Sequence, residues 1–282
     1  MDERLTLEKR IGAELKSYDG TMGIYINDFK GNCIRIHAEE AFETASTIKI
    51  FILAALYDAV EEGSRSLEDM LEYKQCHATE GSGVLFALEL GTVLSVKNLA
   101  TLMIIVSDNV ATNLLIDYLG IDAINKVIKK LGCQDTRLHH SLHFEQYSQL
   151  GTTTPEDYAR MFEGMVRGTL VSKAASEEML DICRKQQYHS MLTGSLPSCF
   201  TDPDNGEGEL IVFASKSGSM DACRNDGGIV TTPYGSYVII LLNKNFSDQM
   251  YYPNHPAIVF GARISRLVFD QYLALEGRLK IN

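Results

Sequence analysis

The chain has 282 residues, 45% of them apolar and 22% charged, enough to bury one large core or two interleaved ones, as ordinary soluble globular proteins do. Acidic residues outnumber basic ones by 37 to 26, and the formal charge of −11 works against loose attraction to nucleic acid or to an anionic lipid surface. The most apolar stretch, Ile50 to Val60, carries Asp58 and is far shorter than the roughly 20 residues a bilayer requires, so no membrane span is expected.

The opening Met1-Asp2-Glu3-Arg4 is charged and no apolar secretory run follows it. Six cysteines (Cys33, Cys76, Cys133, Cys183, Cys199, Cys223) form no Cys-x-x-Cys pair, which fits reduced thiols better than disulfides or a zinc site. Both features predict a cytoplasmic protein, unless a leader has been removed from an exported form.

Leu7, Ile11 and Leu15 recur every fourth residue and predict an opening helix. Alternating runs Gly23–Asn27 and Cys33–His37, joined by the Gly31-Asn32 turn, predict a hairpin. From Thr47 to about Gln187 the periods are helical, clearest at Lys97–Val106, Val110–Leu119, Ala123–Leu131 and Pro155–Val166, so this block is expected to be all-helical. The stretch from Leu138 to Thr153 has no clean period and is long for a plain connection, which suits a binding or lid element. Strand character returns at Leu210–Lys216, Gly228–Thr232 and Tyr237–Leu242, with a turn at Pro233-Tyr234-Gly235, and Ala257–Leu275 closes the chain as a helix. The expected fold is therefore α+β: an antiparallel sheet built from both chain ends and flanked by terminal helices, with an inserted helical lobe. Residues 1–39 and 190–282 form the first lobe, residues 40–189 the second, and a site is expected at their seam.

Three short motifs carry chemistry. Ser46-Thr47-Ile48-Lys49 opens a strongly apolar helix, placing an amine one turn from a hydroxyl on the same side. A free lysine near pKa ~10.4 is charged and cannot take the serine's proton, so Lys49 must be neutralised by burial and by the nearby charge of Lys216. Ser107-Asp108-Asn109 follows one helix and precedes another; Ser107 would pass a proton to the leaving group, Asn109 would bind a substrate amide carbonyl, and Asp108 would cap the next helix. Lys216-Ser217-Gly218 ends a strand, where a side-chain-free Gly218 lets an extended substrate pair closely and Lys216 supplies positive charge. Arg224 is a second candidate for a substrate carboxylate, and the N–H groups of Ser46 and Ser219 are candidates for an oxyanion hole.

This motif set in this order resembles the class A β-lactamases and the penicillin-binding proteins. The runs FETASTIKIFIL, LATLMIIVSDNVATNLLIDYLG, GTTTPEDYARM and SKSGSMDACRNDGGIV extend the resemblance from about Gly23 to the last helix. It implies a two-lobed β-lactamase-like fold in which Ser46 is acylated, Lys49 accepts its proton, Ser107 shuttles it, Lys216 is the strand lysine, and Asn109 and Asn113 are the middle motif's asparagines.

The loop before Thr152-Thr153-Thr154-Pro155 departs from the class A pattern. That family places a glutamate there to activate the deacylating water, whereas counting from Thr136-Arg137-Leu138 puts Leu142 at the matching place. Glu145, three residues later, fills the role only if the backbone reroutes. Acylation needs only residues that are present; rapid deacylation needs a placed base.

Three readings follow: a β-lactam hydrolase, an amide hydrolase acting on D-alanyl-D-alanine-like peptides, and a penicillin-binding sensor that stays acylated. All three expect a small-molecule or peptide ligand, no cofactor and a monomer. His139, His140 and His143 read as solvated loop residues and not as metal ligands, and Gly81-Ser82-Gly83 as a turn and not a phosphate cradle.

Overall fold

The computed structural model describes residues 3–143, 149–189, 191–200 and 211–274. Helix α1 (Glu3–Leu15) leads into the hairpin β1 (Thr21–Asn27) and β2 (Cys33–Ile36). A two-residue strand β3 (Phe42–Glu43) and a single 3-10 turn (Ala45–Thr47) then deliver the chain to α2 (Ile48–Glu61). Between α2 and α3 (Val96–Ile105) lies a ribbon of β4 (Met70–Glu72) and β5 (Val93–Ser95). Helices α4 (Asn109–Leu119) and α5 (Ile121–Lys130) follow, then β6 (Arg137–Leu138), β7 (Gly151–Thr153), α6 (Pro155–Arg167) and α7 (Lys173–Arg184). The second chain end supplies β8 (Val212–Ser215), β9 (Gly218–Met220), β10 (Cys223–Thr232), β11 (Gly235–Lys244) and α8 (Pro256–Ala274).

The main sheet runs β2-β1-β11-β10-β8, all antiparallel, with β9 pairing β10 in the same register as β8. Residues from both chain ends thus share one sheet, as the α+β expectation required. Along β11 the side chains sort by face, as a period of two demands. Val238, Ile240 and Leu242 belong to the core of the helical lobe, while Tyr237, Ile239 and Leu241 pack in a second core with Leu7 and Ile11 of α1 and Ile264 and Val268 of α8.

Helix α2 is apolar on every side, and its residues from Ile48 to Asp58 are all buried, so it forms the axis of the helical lobe. Lys49 is carried inside with it. The middle block is not purely helical, contrary to the sequence reading: it holds the β4–β5 ribbon and a small sheet β3-β7-β6. Strands of two or three residues are too short to show a period, and β3-β7-β6 exists through pairings such as Phe42 with Thr153 and Leu138 with Gly151. That little sheet closes both ends of the long loop after α5 and anchors them beside the start of α2.

Candidate active site

The residue before Ser46 has a left-handed backbone: Ala45 lies at φ +43°, a region disfavoured for residues bearing a Cβ. This kink ends β3 and leaves Ser46 partly exposed at the mouth of α2. Side chains on either side hold it. Glu43 Oε1 accepts from Ala45 N at 3.0 Å, and Asn225 Nδ2 on β10 donates to the Glu43 carbonyl at 2.7 Å. A second non-glycine residue with positive φ is Ser107, at +54°, where α3 gives way to α4. Asp108 caps α4 by accepting from Ala111 N at 2.9 Å, and its other oxygen accepts from Val84 N and Leu85 N at 2.6 and 2.9 Å. Both serines of the predicted chemistry therefore sit in backbone that the surroundings must hold in place.

Lys49 is fully buried, with Nζ 2.7 Å from the Ser107 carbonyl, 2.8 Å from Asn109 Oδ1 and 3.0 Å from Ser107 Oγ. The Asn109 amide nitrogen is committed to the Glu80 carbonyl at 2.9 Å, which turns its oxygen towards the lysine. Burial pushes the Lys49 amine well below its ordinary range; the neighbouring Lys216 charge adds to the effect and Asp108 opposes it. A neutral amine has two N–H bonds, and two of its neighbours, a carbonyl and an amide oxygen, can only accept. The lone pair is then left for a hydroxyl, which is what a proton acceptor for serine requires.

Lys216 enters from the other lobe. Its Nζ lies 3.2 Å from Ser107 Oγ and donates to the Ser217 carbonyl at 2.6 Å. Burial lowers this lysine to about 8, while buried Asp226 pulls it back up. Burial raises Asp226 to about 7, offset in part by hydrogen bonds from Leu192 N and Gly227 N and by the Lys216 charge. The Ser107 hydroxyl thus stands between two amines, one from each lobe.

The backbone of β9 presses against the nucleophile turn. A Cβ on Gly218 would fall 2.7 Å from both Ser46 N and Thr47 N and 3.0 Å from the Thr44 carbonyl, all main-chain atoms, so only glycine fits. This contact brings the Ser46 N–H alongside the strand whose next residue is Ser219. Ser46, Ser107, Asn109, Ser217, Gly218 and Ser219 line one cleft of about 1000 Å³ between the lobes.

Over residues 6–272 the sequence matches the model of the β-lactamase enzyme family. The chain belongs to that family. It is similar to the crystal structure of a β-lactamase from Sphaerobacter thermophilus DSM 20745 (TM-score 0.82, 32% identity, covering 97% of this chain and 98% of that one). It is also similar to PBP-A, solved as a leucine-to-glutamate variant in an acyl-enzyme complex with penicillin G (TM-score 0.82, 26% identity, 97% of each chain). A β-lactamase of Streptomyces cellulosae is 25% identical over 242 residues, which is 82% of this chain and 74% of that protein. With the family comes the chemistry: the chain is a serine hydrolase of the β-lactamase type.

Within this family's site, one sequence expectation meets a different arrangement. Arg224 lines the cleft, but its guanidinium is already engaged. It donates to the carbonyls of Met220, Cys223, Gln249 and Met250, and the Tyr251 ring lies 4.2 Å from it. It straps the cleft rim together instead of offering a free charge to a substrate carboxylate. Leu142, which the count from Thr136 sets where a class A glutamate is expected, is buried, and Asn113 grips its backbone from both sides, accepting from Leu142 N at 2.8 Å and donating to Leu142 O at 3.0 Å. Glu145 lies outside the described residues. His139 pairs with Thr152 Oγ1 at 2.8 Å, and His140 with the Ser141 carbonyl at 2.7 Å.

Several residues of the site escaped the sequence reading. Ser82 lines the cleft, accepts from Asn109 N through its carbonyl at 3.0 Å and donates to the Ser107 carbonyl at 2.7 Å. Its flanking Gly83 packs on Asp108, where a Cβ would come within 2.5 Å of Asp108 Cα. The paired glycines signalled a turn but not what the turn touches. Asn225, Asp226 and Glu43 lie in the quoted family-like runs, yet each acts through contacts across the sheet or between lobes.

Proposed function

We propose that this protein hydrolyses β-lactam amides through an acyl-enzyme on Ser46. The observation that carries the reading is the buried Lys49–Ser107–Lys216 chain, with Nζ–Oγ separations of 3.0 and 3.2 Å, whose Ser107 lines the same cleft as Ser46. Neutral Lys49 takes the Ser46 proton as Oγ bonds to the lactam carbonyl carbon. The developing oxyanion is held by backbone N–H groups at the close Ser46–β9 approach, the Ser219 N–H being the second donor. The C–N bond then breaks, the leaving nitrogen takes its proton from Ser107, and Ser107 is reprotonated from Lys49. Lys216 keeps positive charge beside this relay and is the remaining candidate for the substrate carboxylate. Water releases the acid and restores Ser46.

Leu142 favours a second reading, in which release is slow and the natural substrate is a D-alanyl-D-alanine-like peptide whose amide takes the same path. Every residue of the relay comes from one chain, which supports action as a monomer, and the free thiols of Cys133, Cys183 and Cys223 in the core suit a reducing compartment such as the cytoplasm. Light scattering and cell fractionation test these two points. The main test is to add penicillin G, follow the intact protein mass with time and assay the opened product. A transient adduct with accumulating product is expected. A permanent adduct shifts the assignment to the second reading, and an absent adduct, or continued labelling of Ser46→Ala, removes Ser46 as the nucleophile.

A further inference from the structure

The family's usual deacylating position holds a leucine, yet a carboxylate that the relay does not use lies three residues before the nucleophile. Glu43 lines the same cleft as Ser46. One of its oxygens is pinned between the nucleophile turn and the far end of the long loop: Oε1 accepts from Ala45 N at 3.0 Å, Leu150 N at 3.1 Å and Gly151 N at 3.3 Å. The other, Oε2, is buried and has no hydrogen-bond partner among the described residues. A buried carboxylate oxygen left without a donor is energetically costly, and a water molecule or a proton would relieve that cost.

We propose that Glu43 is the carboxylate that activates water for release of the acyl-enzyme, a role that rests on the acyl-enzyme reading above. Oε1 serves as the fixed anchor and Oε2 as the free acceptor. As the water oxygen bonds to the acyl carbonyl carbon, its proton passes to Oε2. The tetrahedral intermediate collapses with cleavage of the carbon–Ser46 Oγ bond. The proton held by Glu43 goes to Ser46 Oγ, leaving a free carboxylic acid, a serine hydroxyl and an ionised Glu43.

The surroundings suit a base. Burial raises this carboxyl above the ordinary range while the three N–H donors pull it down, and a base whose pKa moves towards neutrality is more effective near neutral pH. The titratable groups around it are His140 from the long loop, which favours the charged form, and the buried Cys223 thiol of β10. The arrangement also accounts for turnover in a chain with leucine at position 142: the base enters from β3, the strand that leads into the nucleophile turn, and not from the loop.

The experiment forms the penicillin G adduct on the wild type, Glu43→Gln and Glu145→Gln, removes free penicillin, and follows loss of the adduct by intact mass from about pH 5 to 9. Glutamine retains the Oε1 acceptor, and labelling of the variant itself reports that it is folded. Decay of the adduct in Glu43→Gln should slow by roughly 10²- to 10⁴-fold and lose the wild-type pH dependence, with Glu145→Gln within about threefold of wild type. Wild-type decay in Glu43→Gln, an adduct that already persists in the wild type, or a block produced by Glu145→Gln alone overturns the assignment. If no protein forms an adduct, the acyl-enzyme reading itself fails, and this role fails with it.

Discussion

Replacing Ser107 by alanine removes one atom, the hydroxyl that lies 3.0 Å from Lys49 Nζ and 3.2 Å from Lys216 Nζ. No other side-chain oxygen among the described residues bonds both amines, so the proton collected by Lys49 loses its route to the leaving nitrogen. Losing a placed proton donor typically costs 10²- to 10⁴-fold, or about 3 to 5 kcal/mol of transition-state stabilisation at 1.36 kcal/mol per decade. The fold should be affected far less. The Ser107 carbonyl still accepts from Lys49 Nζ at 2.7 Å and Ser82 Oγ at 2.7 Å, so the stability loss is that of one or two net hydrogen bonds, about 1–2 kcal/mol. Stopped-flow acylation by penicillin G, read beside a thermal melt, separates the two effects. A rate loss of at least 100-fold with a melting point lowered by only a few degrees is expected. Acylation within threefold of wild type would refute Ser107 as the shuttle.

Two further substitutions probe the walls of the site. Lys216 sits at about 8, so its positive charge is lost as pH rises through that value, and acylation should fall on the alkaline side. Lys216→Arg keeps the charge at all accessible pH and should move that alkaline limb upward; a limb that stays in place would show that another group causes it. Gly218→Ala sets a Cβ 2.7 Å from two backbone nitrogens that cannot rotate away, so β9 must retreat from Ser46. Displacing one oxyanion donor costs roughly 10²- to 10³-fold in kcat, and a loss below threefold would show that the close approach does not serve catalysis.

Much of this site was legible because its parts are short motifs whose spacing carries the geometry. Ser46 and Lys49 are three residues apart where a 3-10 turn runs into α2, and the strongly apolar run from Ile48 marked the helix that carries the lysine inside. The hairpin, the closing strands and both terminal helices were visible as periods of two and 3.6. The rest depends on long-range contacts, which no local pattern encodes. Arg224 read as a candidate for a substrate carboxylate, but four carbonyls, two of them 25 and 26 residues away, engage it. Glu43 drew no attention in the sequence, because its role depends on Leu150 and Gly151 donating to it from beyond position 148. Ser82 gave only its glycines as a sign, and its role depends on where Asn109 folds.

Everything chemical here depends on Lys49 being neutral when substrate arrives. The decisive measurement is the pH dependence of the Ser46 acylation rate by penicillin G, taken under single-turnover conditions. Because burial and Lys216 both disfavour the charged amine, the rate should rise through a midpoint well below the ordinary lysine value of 10.5 and be substantial at neutral pH. A rate that is negligible near neutrality and still climbing tenfold per unit through about pH 10 would mean that Lys49 is an ordinary protonated lysine and not the base.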